Sequence, residues 1–187
     1  MIKSNSKGIT RIAIIGPEST GKSLLAEQLS DHFDTNWIPE YARIFLSELN
    51  RPYTAADIIE IYKTQFIQEK TESCKANKLL FVDTEFIIGK VWMEHAFKTS
   101  HEYFDQMIQQ APYDLYLLTY PDLPWEYDPL RENPGKGMYF YEWYKRILIE
   151  HQFSYGVVTG TGNLRLTGAK EIIEQYLKKS KSANADC

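Results

Sequence analysis

The sequence predicts an α/β fold: a P-loop NTPase with a parallel sheet of about five strands flanked by helices and a lid loop. Three observations lead there. Short apolar runs alternate with helical stripes, the pattern of βαβ units. The first apolar run opens directly onto Gly16-Pro17-Glu18-Ser19-Thr20-Gly21-Lys22-Ser23, which matches G-x-x-x-x-G-K-[ST]. Between Tyr120 and Gly137, YPDLPWEYDPLRENPGKG holds four of the eight prolines and is too long for an ordinary connection, so it reads as a lid or binding loop.

Each element follows from its own pattern. Arg11 to Ile15 is a short β-rich run, as a strand buried on both faces should be. Ser23 to Phe33 places Leu25, Leu29 and Phe33 along one helix face. Asn36 to Ile38 is a short second strand, ended by Pro39. Ala55 to Cys74 is a long helix with Thr54 as N-cap and Ile58, Tyr62 and Phe66 on one side. Leu79 to Val82 and Leu115 to Leu118 are the next strands, separated by helices near Phe86 to Phe97 and Tyr103 to Gln110. Met138 to His151 carries Tyr144, Ile147, Leu148 and His151 at helical spacing. A last strand, Gly156 to Thr159, leads to a helix holding Ile172, Ile173, Tyr176 and Leu177. The domain is expected over residues 1–178, with 179–187 a frayed polar tail.

The composition removes several function classes. A chain of 187 residues is one domain by length. A net charge of −4 argues against a nucleic-acid partner, which would demand a basic face. Cys74 and Cys187 are the only cysteines and suggest neither a disulfide framework nor a zinc site. The start, MIKSNSKGITRIAII, is too polar before its short apolar run for a signal peptide. No stretch approaches the roughly 20 apolar residues of a membrane span. A cytoplasmic protein with a small-molecule substrate is the expectation; oligomeric state is not legible.

The motif spacing has a physical purpose. Gly16 and Gly21 let the backbone curl, so that N–H groups of the loop point at the phosphates of ATP. Glu18, Ser19, Thr20 and Leu24 belong to the same cofactor-binding run. Lys22 would bridge the β- and γ-phosphates, and the Ser23 hydroxyl would bind Mg²⁺. Asp83 follows the apolar run LLFV, where the acid that completes the metal site is expected, with Glu85 two residues on. A GTPase is disfavoured, because N-K-x-D is missing: Asn77-Lys78-Leu79-Leu80 lacks the Asp.

Phosphoryl transfer also needs an acceptor site. WIPEYAR offers Glu40 and Arg43 after the second strand, with Pro39 setting Glu40 at a strand-to-helix junction. Glu40 and Asp83 both remain candidates for the base. Arg131, in DPLRENP, is the lid cation expected to meet the developing charge. Arg165 is assigned to the adenine side, beside Thr159-Gly160-Thr161-Gly162.

GPESTGKS, PEYAR, FVDTE and PDLPWEYDPLREN, in this order over nearly the whole chain, resemble the NadR-like ribosylnicotinamide kinases. The most specific part is D-x-P-W followed by Arg131. The resemblance implies a P-loop fold of the nucleoside- and nucleotide-kinase type and ATP-dependent phosphorylation of nicotinamide riboside to nicotinamide mononucleotide, a step of NAD salvage. Longer members of the family carry an adenylyltransferase domain; 187 residues leave no room for one. A cationic pyridinium ring wants aromatic faces and carboxylates. Trp37, Tyr41, Trp92 and Trp125 are the aromatic candidates, with the carboxylates Glu40, Asp83 and Glu85, and Arg43 is assigned to the same acceptor side. Another nucleoside or small alcohol as acceptor, or an ATP-dependent switch without one, are the alternatives.

Overall fold

Ile12, Ala13, Ile14 and Ile15 are apolar in succession, so the strand they form has no solvent face and takes the centre of the sheet. In the computed structural model, which describes residues 8–185, the elements run β1 (Thr10–Ile15), α1 (Lys22–His32), β2 (Asn36–Ile38), α2 (Tyr41–Glu48), α3 (Ala55–Ser73), β3 (Leu79–Asp83), α4 (Phe86–Phe97), α5 (Glu102–Gln110), β4 (Leu115–Thr119), α6 (Gly137–Glu150), β5 (Tyr155–Val158) and α7 (Gly162–Ala185). The sheet order is β2-β3-β1-β4-β5 and every pairing is parallel. Residues 1–6 of the stretch read against a signal peptide lie outside the described residues, as do Lys7 and Cys187.

Alternation along the strands divides the core into two layers. Ile12 and Ile14 of β1, Phe81 of β3 and Leu117 of β4 pack with Leu25 and Leu29 of α1 and Ile173 of α7. Ala13, Ile15, Leu80, Val82 and Leu118 face the other way, against Ile58 and Ile61 of α3, Ile87 and Val91 of α4 and Leu148 of α6. Helices on both faces are what an all-parallel sheet requires.

Local chemistry sets the helix ends. The Thr54 cap is present as a reciprocal capping box, with Asp57 accepting from Thr54 N at 2.7 Å. Arg51 adds a bidentate pair on Asp57 at 2.7 and 2.8 Å. At the far end of the sheet, Arg11 Nε donates to Glu69 Oε1 at 2.6 Å and Tyr113 OH to Glu69 Oε2 at 2.7 Å. That buried cluster ties the start of β1 to α3 and to the approach of β4. α7 continues to Ala185, past residue 179 where the sequence suggested a frayed tail. Lys and Ala are good helix formers, and a solvated helix needs no apolar face to continue from an anchored one.

Gly89 lies inside α4, and the neighbouring rings explain why. A Cβ there would meet Phe104 Cε1 at 2.4 Å and Tyr62 Cε2 at 2.7 Å. Gly89→Ala is expected to destabilise, since overpacking costs about 1–3 kcal/mol against a helix-propensity gain of at most ~1 kcal/mol. Urea unfolding should show a lower midpoint at an unchanged slope. A variant as stable as the parent would mean that the two rings yield freely.

Candidate nucleotide and acceptor site

Parallel strands end on one side, and the site is built on that side. Gly16 leaves β1 at φ 149° and Gly21 closes the loop at φ 71°. A Cβ on Gly16 would lie 2.0 Å from Thr119 Oγ1, so only glycine lets the loop turn this close to β4. The Thr20 and Thr119 hydroxyls sit 2.7 Å apart, so one donates to the other, and the remaining proton goes to a carbonyl, Pro17 O at 2.8 Å from Thr20 or Ile15 O at 3.1 Å from Thr119. This buried pair of hydroxyls holds the base of the loop. Gly21 is the N-cap of α1, so the positive end of the helix faces the loop.

Lys22 Nζ donates to Pro17 O at 2.9 Å, arching over the loop. Ser23 Oγ donates to Asp83 Oδ2 at 2.5 Å. Asp83 is fully buried at the end of β3, and its other oxygen, Oδ1, has no hydrogen-bond partner among the described residues. Burial, and then the nearby Glu40 carboxylate, push Asp83 up to about 7, against the pull of Lys22, Ser23 and Arg43.

Beyond the loop, a cavity of about 880 Å³ lies between α2, α4 and the Tyr120–Gly137 segment. Glu40 stands at the N-cap position of α2, without a side-chain capping bond, and pairs with Arg43 Nε at 3.4 Å. Arg43 Nη1 reaches Asp128 of the lid at 2.9 Å. On the opposite wall Trp92 Nε1 donates to Tyr53 OH at 3.1 Å, and the rings stand edge to face with centroids 5.1 Å apart. Tyr53 OH donates onward to Glu132 Oε2 of the lid at 2.7 Å. The cavity thus offers aromatic faces and a carboxylate under a proline-rich roof.

The roof is fastened to the phosphate loop itself. Arg131 Nη1 donates to Ser19 Oγ at 2.7 Å and to Glu126 O at 2.6 Å. The Glu18 carboxylate accepts from Glu132 N at 3.2 Å and from Asn133 N and Nδ2, each at 3.1 Å. Arg165 secures the start of the lid. It donates to Asp122 Oδ1 at 2.7 Å, Tyr120 O at 2.8 Å and Gly160 O at 2.6 Å.

One cavity therefore gathers Gly16, Glu18 to Leu24, Glu40, Arg43, Trp92 and Arg131. Other residues expected in the site are placed elsewhere. Asp83 stands behind Ser23 rather than in the wall. Glu85 turns into the core, where it caps α4 by accepting from Ile87 N at 3.0 Å. Burial pushes it up to about 8, opposed by that backbone bond. Tyr41 packs beside Phe45 and donates its N–H to Gln65 Oε1 at 3.0 Å. Trp125 is in the lid but outside the cavity wall, and Arg165 braces the lid without lining the cavity. Strand-end spacing places a residue along the chain, but the α4 cap decides which way Glu85 points. Tyr53 and His95 line the cavity and had no signal in the linear pattern; Asp128, also in the wall, lies in the lid stretch but was not singled out there. Only the position of Tyr53, just before the Thr54 cap, set it near a helix start.

The raised acids generate a pH dependence. Asp83 and Glu85 hold their protons in the fold at pH values where the unfolded chain has lost them. Their contribution to stability is complete below the ordinary carboxylate range and is lost as pH rises through about 7 and about 8. The thermal midpoint of the nucleotide-free protein is expected to fall between pH 5 and pH 8.5 on that ground. Asp83→Asn should reduce the slope of the decline up to about pH 7, and Glu85→Gln should reduce it up to about pH 8. A midpoint that climbs over this range in the parent, and is unaltered in both variants, would contradict these environments.

Comparison with known proteins agrees with this geometry. The model of the AAA domain family matches residues 11–165. The trifunctional NAD biosynthesis/regulator protein NadR of Salmonella typhimurium is 30% identical over 129 residues, 66% of this chain and 31% of that protein. The chain thus spans about a third of the length of this curated relative. A NadR structure in complex with NR superposes with a TM-score of 0.76 at 22% identity, covering 90% of this chain and 52% of that one. A NadR structure in complex with NAD and AMP-PNP gives 0.74 at 20% identity, covering 90% and 49%. The resemblance read from GPESTGKS, PEYAR and FVDTE is borne out as homology. From the strand before the phosphate loop to the arginine that braces the lid, the chain belongs to the AAA domain family and is related in sequence and fold to NadR.

Proposed function

We propose that the protein is an ATP-dependent kinase that phosphorylates the 5′-hydroxyl of nicotinamide riboside, giving nicotinamide mononucleotide. The observation that carries this reading is the single roofed cavity. It runs from the phosphate loop at Lys22 and Ser23 to an aromatic wall at Tyr53 and Trp92, with Glu40 at the junction. A nucleotide-binding switch has no use for a closed acceptor chamber, whereas transfer from ATP to a small alcohol requires one that excludes water. The related NadR structures were solved with NR and with AMP-PNP, which supports a riboside acceptor and an adenine nucleotide donor.

The roles follow from placement. Loop N–H groups and Lys22 hold the phosphates of ATP, with the α1 N-terminus behind them. Glu40 orients the ribose 5′-hydroxyl and takes its proton as the oxygen attacks phosphorus. Asp83 is committed to Ser23 and does not reach the cavity wall, which leaves the base to Glu40. Arg131, held against Ser19, lies where charge spreads over the transferring group. The Ser23 hydroxyl lines the cavity and would hold a Mg²⁺ ion, with Asp83 behind it as its hydrogen-bond partner and nearest acid. Mg²⁺ would neutralise charge between the β- and γ-phosphates there. Trp92 and Tyr53 offer π-faces to the cationic ring, and Glu40 offers it a carboxylate.

ADP release should be strongly stimulated by nicotinamide riboside and little by uridine or cytidine, which are uncharged. Equal turnover of all three would overturn the riboside assignment and leave a kinase of broader choice; no stimulation by any acceptor would remove the kinase reading. Lys22→Ala should abolish turnover in a folded protein. Glu40→Gln should lose roughly 10²–10⁴-fold in kcat, the usual worth of general-base help, while binding ATP normally. Full activity in Glu40→Gln would move the base elsewhere.

A further inference from the structure

Within a phosphate loop, an acidic side chain is an electrostatic liability, since it repels the anion the loop exists to bind. Glu18 escapes that conflict by pointing away from the cradle. Oε1 takes the N–H of Glu132 at 3.2 Å and the Nδ2 of Asn133 at 3.1 Å, and Oε2 takes the N–H of Asn133 at 3.1 Å. Both carboxylate oxygens are therefore satisfied by the lid. The next residue is Ser19, at φ 58°, a conformation uncommon outside glycine. Its hydroxyl accepts from Arg131 Nη1 at 2.7 Å and from Glu126 N at 3.0 Å. A glycine would adopt this backbone at less cost but would bring no hydroxyl.

We propose that Glu18 is the positioning residue for Arg131: two adjacent residues of the phosphate loop, Glu18 and Ser19, grip the three consecutive lid residues Arg131, Glu132 and Asn133, and this grip sets the guanidinium over the phosphates. Glu132 and Asn133 follow Arg131 directly, so holding their peptide N–H groups fixes the backbone that carries Arg131. The same Glu132 receives Tyr53 OH at 2.7 Å, and Tyr53 receives Trp92 Nε1 at 3.1 Å. One lid residue is thus bound through its backbone to the donor side and through its side chain to the acceptor wall. A ligand that seats against Trp92 and Tyr53 steadies Glu132, and with it the grip of Glu18. The catalytic consequence for Arg131 rests on the phosphoryl-transfer reading above; the grip itself does not.

The test uses the whole chain with Mg·AMP-PNP bound, and Glu18→Ala beside Glu18→Gln. Amide hydrogen exchange is read at Glu132 and Asn133, with the amides of β1 and β4 as the internal standard. In Glu18→Ala these two lid amides are expected to exchange about 10–100-fold faster, the equivalent of losing a hydrogen bond to a charged acceptor, while the strands are unchanged. Glu18→Gln, which keeps one acceptor oxygen, should fall between. With ATP and nicotinamide riboside, Glu18→Ala should lose on the order of 10²-fold in kcat, as a small misplacement of a catalytic group does, with KM for ATP little changed and partial recovery in Glu18→Gln. Lid exchange equal to the parent, or a defect confined to KM for ATP, would overturn the proposal. Should Glu18→Ala fail to fold, Glu18→Gln carries the same measurements. If the parent turns over no riboside, the substrate reading fails, and the exchange rates alone uphold or overturn the grip.

Discussion

Everything functional in this molecule depends on the parallel sheet delivering its strand ends to one edge. β1 lies between β3 and β4, and these three neighbours bring Gly16, Asp83 and Thr119 together although they are far apart in the chain. Gly16 comes so near Thr119 that no side chain fits between them. The contact, reinforced by the Thr20 and Thr119 hydroxyls, anchors the loop on the strand from which the lid departs. The phosphate loop and the lid therefore spring from adjacent strands. A short path between them is built into the topology, and Glu18, Ser19 and Arg131 make use of it.

Buried charge is handled in three distinct ways, and the difference tells structure from function. Arg11 and Glu69 form a buried ion pair, with the Tyr113 hydroxyl donating to the second carboxylate oxygen; it braces the end of the sheet away from the site. Glu85 is buried without a cationic partner, so burial favours its protonated form although the N–H it accepts from Ile87 pulls the other way. Asp83 is buried with one oxygen on Ser23 and one unpartnered. An orphaned carboxylate oxygen costs free energy unless something charged arrives to meet it. Of these groups, only Asp83 stands at the phosphate loop, so only there does the imbalance have a use.

The lid is held by many polar contacts and little apolar packing. Arg43 with Asp128, Tyr53 with Glu132, Glu18 with Asn133 and Arg165 with Asp122 are separate fasteners at separate points. The more exposed of them, such as Arg43 with Asp128, are each worth little. A cover secured that way can come away piecemeal, without disturbing the core, and close again over a bound ligand. An apolar seal would be tighter but would have to be undone as a unit. The Pro121, Pro124, Pro129 and Pro134 positions limit the conformations available to the open segment and so reduce the entropy lost on closing.

Local patterns in the chain were sufficient for the elements and the phosphate loop. Apolar succession marked β1, β3 and β4 within a residue of their ends, and the Thr54 cap marked the start of α3. G-x-x-x-x-G-K-S marked the cradle, because its backbone demands are local and leave a compositional trace. Glu40, Arg43 and Arg131 line the cavity and were also legible, since each sits beside a strand end or in the one segment too long to be a plain connection; Trp92, inside α4, was marked only by its ring. What the tertiary structure alone decided was side-chain direction. Glu18 lies in the cradle motif yet turns to the lid, and Glu85 lies two residues past Asp83 yet turns to the core. Tyr53 and Asp128 reach the cavity only because α2, α3 and the lid lean together over the sheet edge. Periodicity reports which face of an element is apolar; which neighbour a polar side chain meets at a strand end is largely set by contacts between residues 18 to 115 apart, and no local pattern records them.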